Sequence, residues 1–540
     1  MTDPCKPELT DNVSTSEPTN EGAENQSPET KPTPKWLRGL QWRAHWLFPN
    51  LIRHDQGDRT YVREHDKKEN ERSRIPADQS LRVRMIWGIE LYGPTEIDAL
   101  YAGLKKLDWG SAGSWKHGDG ALNWIRQQRS YGSGGWFNVG YVLRREQRGR
   151  FPMIHNYAPL PAGVDSLLVG TFQLSPSLTG VLVGFKLEEY LARRYEAELN
   201  RDRVTSRERS HRPRAISIIS PRNQKQRVIE ALRADLRRMA GSWFRRHLPG
   251  YFCRLEHPAA FPTMELLTVQ DGPILQDPTI AEAFYGWRRL LANVGPNHIW
   301  TYGESAGLQL AMDRYSDENE GLHIVAALDV AAFAGETLKY GGENAPDAYI
   351  HACNELLGGL LVHASTVEYL REQSRDLNIT REKLKTARSG RNNVMRTLHE
   401  IRLFFDRTLG TPVIARELAG KSKEAGWYRH DCSRFTAPAW GKTEKPRELS
   451  EEIRGRVHFL ASRLTNEETA IRAHFEQLSS ILSIRESIKA QRRMEWLTIL
   501  AVSIAVVSLV VALSSPSKLI HKLNDLWPLG ASSLSRDTGR

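Results

Sequence analysis

From Leu81 the chain alternates, with Val83, Met85, Trp87, Ile89 and Leu91 apolar and Arg82, Arg84, Gly88 and Glu90 between them. That period of two predicts a strand. The GPTE at 93–96 then opens a helical repeat in which Ile97, Leu100, Tyr101, Leu104 and Leu107 share a face. A second helical stretch at ALNWIRQQR (121–129) runs into a Gly-rich turn, SYGSGGW, and the apolar run Trp136 to Leu143. Two further apolar runs, Val164 to Leu174 and Leu178 to Leu187, flank SPS and read as a β-hairpin. From Glu188 to about His247 the pattern turns helical and basic.

Farther on, HIWTY (298–302) and LHIVAALDV (322–330) fit strands, while AFYGWRRLLANV and SAGLQLAMDRY fit helices. Residues 81–345 therefore read as an α+β region with a mixed sheet, and a boundary near 270 is compatible with the pattern. From Asp347 to Lys423 helical character dominates, before a Gly- and Pro-containing region at 409–446. Ile453, Val457, Leu460, Leu464, Ile471, Phe475, Leu478 and Leu482 then follow a 4-3 spacing with one polar break near Glu467. This is the seam of a coiled coil or long helical hairpin, or equally the core face of a bundle helix. Residues 347–495 are expected to form a helical stalk.

The stalk runs without Pro or Gly into eighteen uncharged residues, Trp496 to Leu513. As a helix they extend about 27 Å, against roughly 30 Å of bilayer hydrocarbon. A transmembrane helix is expected at 496–513, with Trp496 at one interface and Trp527 near the other. Arg485, Lys489, Arg492 and Arg493 precede it, and Lys518 and Lys522 follow. This bias places the bulk of the chain on the cytoplasmic side. Ala501, Ala505, Ser508 and Ala512 form a small-residue stripe suited to helix–helix approach. KLIHKLNDLWPLG, in the polar tail 514–540, is too short and charged for a second span.

A charged helix passing through a basic patch into MEWLTILAVSIAVVSL (494–509) resembles the stalk and first span of CorA-type divalent-cation channels. The resemblance implies an α+β domain before long helices. The family's Gly-Met-Asn and second span are absent, since ALSSPSKL stands there. No ion-selective residue carries over.

Composition refines the picture. The 540 residues are 40% apolar and 26% charged, an ordinary globular balance with length for several domains. Residues 1–35, rich in Ser, Thr, Pro and Glu, read as a disordered tail without a secretory signal, and 36–80 as a linker. Four scattered cysteines suggest neither a disulfide framework nor a zinc site. Of the +11 net charge, +10 lies between Arg193 and Arg246, with 16 Lys or Arg against 6 Asp or Glu. That segment suits an anionic partner, or is a solvated helical face.

One enzyme-like pattern occurs: YGESAG places Ser305 in a G-x-S-x-G elbow, which needs a strand before it and a helix after. The spacing is cheap, and no acid or His sits in a convincing loop downstream, so no catalytic residue is expected beyond this weak candidate. HDC at 430–432 holds a metal only with distant partners, and SYGSGGW lacks the Lys-Ser/Thr of a phosphate loop. No cofactor is expected. The chain reads as a single-pass membrane protein bearing a cytoplasmic sensor, scaffold or effector domain, oligomeric through stalk and span. A degenerate CorA-like pore is the alternative, and a membrane-tethered serine hydrolase the remotest.

Overall fold

A computed structural model describes residues 35–48, 51, 57–109, 120–132, 134–148, 156–209, 216–255, 261–269, 286–292, 294, 296–305, 307–312, 321–333, 348–386, 402–403, 410–432, 434–441 and 445–514. Of the sequence expectations, residues 1–34, Lys518, Lys522 and Trp527 lie outside these, as do the side chains of Leu478, Leu482 and Arg485.

The chain divides into two units. One comprises residues up to Lys67 with Val204–Ser220. Within the stretch read as a linker it holds a helix, Lys35–Leu47, and the start of another, Gly57–Ser73. It also holds an antiparallel hairpin, Ser206–Arg209 with Ile216–Ile219, in a segment expected to be helix and loop. Asp66 secures the approach to that hairpin, accepting from Thr205 N at 2.9 Å and from the Thr205 hydroxyl.

The second unit is built on an 11-stranded mixed sheet. In chain order its strands are β1 Leu81–Tyr92, β2 Gly135–Arg144, β3 Asn156–Ala158, β4 Val164–Ser175, β5 Leu178–Leu187, β6 Thr263–Val269, β7 Ile299–Tyr302, β8 Leu308–Met312, β9 His323–Asp329, β10 Phe435–Ala437 and β11 Arg447–Glu448. Their order across the sheet is β11-β10-β7-β8-β9-β6-β1-β5-β4-β2-β3. All neighbours are antiparallel except β6 with β9 and β2 with β3. The fold is α+β.

β1 is central and covered on both faces, which is why its alternating sequence ends up nearly all buried. Arg82 and Arg84, at its open end, pair with Glu189 and Glu196. On one face Phe244 of the Pro221–His247 helix and Phe261 fill the space above Gly88, and Trp243 packs edge-on against Phe185. On the other face the Trp87 indole lies over Gly184, where a Cβ would stand 2.8 Å from its nitrogen. That indole donates to Asn354 Oδ1 at 2.9 Å and so fixes the Ala348–Thr386 helix to the sheet.

Ala348–Thr386 is not a stalk segment. Residues 357–370 are buried without interruption, a pattern that requires neighbours on every side. The sheet supplies one side, and helices Ala425–Cys432 and Leu449–Ser514 pack on others. β10 and β11 extend the sheet from within residues 347–495, expected as a helical stalk, β10 lying in its Gly- and Pro-containing region.

SAGLQLAMDRY, expected as a helix, contains β8, paired antiparallel with β7 and β9. Its alternation is five residues long, and ladder bonds on both edges outweigh the high helix propensity of Leu, Gln, Ala and Met.

The last helix, Leu449–Ser514, is 66 residues long. Ile453, Val457, Leu464 and Ile471 of the 4-3 seam belong to the domain's own core, so over this length the seam is the face of a core helix. Beyond the half-buried Phe475 every described side chain is exposed except Lys489.

Candidate functional site

Within that helix, Ser487–Ser514 is long and apolar enough to cross a membrane, and no residue of its most apolar window is buried. Trp496, Ala501, Ala505, Ser508, Ala512 and Leu513 all lie exposed on it, as do Arg492 and Arg493, one turn before the apolar stretch. Thr498 and Ser503 donate their hydroxyls to carbonyls four residues back, at 2.8 and 2.7 Å. The segment thus turns these polar atoms inward on its own backbone, as hydrocarbon demands. Eleven Leu, Ile and Val side chains from Leu497 to Leu513 are more than half exposed. At about 1.5–3 kcal/mol each, removing them from water is favourable by on the order of 20 kcal/mol.

Ser305 occupies the turn joining β7 to β8, so a strand follows where a nucleophile elbow needs a helix. Its hydroxyl donates to Ala332 O at 3.0 Å and accepts from Gly307 N at 3.2 Å. These bonds hold the turn against Val330–Phe333. Gly307 is required there, because a Cβ would meet that of Ala332 at 2.6 Å. SYGSGGW is the end of a helix capped by Gly132 in the left-handed region (φ 69°), followed by Gly134 at φ 75°. Among the described residues no group of three or more His, Cys, Asp or Glu is arranged to hold a metal ion.

Much of the basic segment is engaged internally. Arg193 pairs with Glu189, Arg203 with Glu198, and Arg238 with Asp235. Lys225 is fully buried, donating to Ser73 Oγ at 2.9 Å and Leu199 O at 2.5 Å. Arg233 reaches the core, where its Nε and Nη2 donate to Glu265 Oε1 at 2.8 and 2.5 Å.

Glu265, on β6, is the hub of a buried network. Tyr195 donates to its other oxygen at 2.8 Å, and His323 of the adjacent strand lies 3.7 Å away. Burial pushes the carboxyl up, yet Arg233 and then His323 hold it down at about 2. Burial lowers His323 to about 4 despite the nearby carboxylate. Glu90, on β1, is the opposite case. It accepts from Phe252 N, Cys253 N and Leu91 N, but has no cation partner among these, and burial raises it to about 7. Both networks are sealed in the core and act as anchors: Glu90 ties the Tyr251–Arg254 helix to the sheet, and Glu265 ties on the Pro221–His247 helix.

A cavity of about 320 Å³ opens on the sheet face that carries the Ala348–Thr386 helix. Its floor follows from the register. Trp136 of β2 stands opposite Phe172 of β4, and Asn138 stands opposite Gly170, over which the Phe172 ring lies, 3.4 Å from where a Cβ would be. Trp136 is 61% exposed. Asn354, Glu355 and Gly359 form one wall, and His430 and Arg434 another. Arg434 is steadied by Tyr302 Oη at 3.3 Å and Glu304 at 3.7 Å.

In the sequence His430 stands out only as a metal ligand in need of distant partners, and the cavity leaves almost no trace. Its one local mark is N-V-G at 138–140, where a bulge turns β2 and Gly140 takes φ 88°.

No family model, curated protein or solved structure matches this chain.

Proposed function

We propose that this chain is a membrane-anchored sensor or scaffold, held to the bilayer by Ser487–Ser514 with its sheet domain on the cytoplasmic side. The observation that carries the reading is the helix itself: it leaves a well-packed core after Phe475 and, past Glu495, continues as the unburied, uncharged stretch Trp496–Leu513. A core helix would hide such a stretch; lipid is the environment that matches it. The cationic approach of Arg492 and Arg493 supports the cytoplasmic assignment. Self-association is part of the proposal, supported by the Ala501, Ala505, Ser508 and Ala512 stripe and by exposed Ile481, Ile484 and Ile488 before the span.

Fractionation tests the anchor. The full chain is expected in membranes, resistant to alkaline carbonate and released by detergent, while residues 1–486 appear in the soluble fraction. Full-length protein in the soluble fraction, or a truncated chain still in membranes, would sink the reading. Protease added to sealed vesicles of known sidedness tests the orientation. Light scattering of the detergent-solubilised protein, corrected for bound detergent, tests assembly: a monomer removes self-association from the proposal.

A further inference from the structure

We propose that the cavity beside β2 and β4 binds a planar heteroaromatic anion of mononucleotide size, a role independent of membrane attachment. Two amides in its lining are oriented by the protein. Trp87 Nε1 donates to Asn354 Oδ1 at 2.9 Å, and Gly140 N donates to Asn138 Oδ1 at 2.8 Å. An amide whose oxygen is engaged by a donor presents its NH2 as the remaining group, and both residues line the cavity. Arg434 and His430 contribute further donors on the opposite wall.

The lining also carries two aromatic side chains, Trp136 and Phe172, set side by side by the β2–β4 register. Stacking on such rings is worth about 1–3 kcal/mol per base. Donor-rich walls over an aromatic floor select a flat ligand with an acceptor edge and negative charge. Guanine, with O6 and N7 on one edge, and a 5′-phosphate combine both. Glu355 in the lining, with Glu304 beside Arg434, weighs against more highly charged phosphates. A volume of about 320 Å³ lies within the small-molecule range of about 300–1,000 Å³.

Isothermal titration of the full-length protein in detergent micelles with GMP tests the assignment, with guanosine and inorganic phosphate as ring-only and anion-only probes. GMP is expected to bind with Kd below about 1 mM, and each partial probe at least about tenfold more weakly. Trp136→Ala and Arg434→Ala each weaken GMP about tenfold, with melting unchanged because both side chains are exposed. Tyr131→Ala, an exposed site away from the cavity lining, leaves Kd unmoved. No saturable binding up to about 5 mM, or a Kd unmoved in both cavity variants, overturns the site. Guanosine binding as tightly as GMP overturns the anionic requirement.

Discussion

Two buried carboxylates show how the same side chain is driven in opposite directions by its partners. Glu265 stays charged because Arg233 is bonded to it, so Arg233→Met leaves a buried charge uncompensated. A loss of about 3–5 kcal/mol is expected in denaturant melts, part of it recovered when Glu265→Gln is added. Glu90, raised to about 7, is protonated in the native state over a range where the unfolded chain, near 4.5, has already ionised. Its contribution is full below about pH 4.5 and is lost as pH rises through 7. His323, lowered to about 4, works against it, losing its contribution as pH falls from 6.5 toward 4. Comparing Glu90→Gln with the parent isolates the first group. The variant's melting temperature is expected to gain on the parent's from pH 4.5 to 7, and a flat difference would refute the assignment.

At the level of elements, tight crossings matter as much as apolar area. Gly103, in the Ile97–Leu107 helix, lies where a Cβ would stand 2.4 Å from the carbonyl oxygen of His247. Ala is the better helix former by about 1 kcal/mol. A backbone atom cannot swing aside as a side chain does, so Gly103→Ala is expected to destabilise by about 1–3 kcal/mol, read by chemical denaturation. These same elements show what the sequence disclosed. β1, the 97–107 helix and the β4–β5 hairpin were legible because each has a long, uninterrupted period of 3.6 or 2. β8 was read as a helix because five residues cannot separate the two periods, and the Ser206–Ile219 hairpin was hidden by its charge. The Ala348–Thr386 helix was legible as a helix, but its place in the core was not, since burial on all sides depends on elements more than fifty residues away in the chain. The cavity was invisible for the same reason: Asn354 and Asn138 meet only through the fold.

For the whole molecule, the core closes before the exposed part of the last helix begins. Ile471 is the last buried apolar side chain on it, and the described residues after Phe475 contribute no buried apolar area. Residues 1–486 are therefore expected to melt at the parent's temperature by calorimetry, with the cavity intact. A marked drop would mean that the span supports the fold. The apolar stretch long enough to cross a membrane is the most legible feature of the sequence, because eighteen uncharged residues need no tertiary context to be noticed.

The unbroken backbone from Phe475 to the apolar stretch also acts as a ruler. Residues 476–494 have no Gly or Pro and, at about 1.5 Å each, measure roughly 28 Å. With the span in the bilayer, the sheet domain rides at a set height and a set azimuth above the lipid, and both are adjustable. Removing seven residues lowers the domain by about 10 Å while turning it only about 20°, whereas removing five turns it by about 140° for a similar descent. Any partner that must touch membrane and domain together will tolerate one of these shortenings and refuse the other.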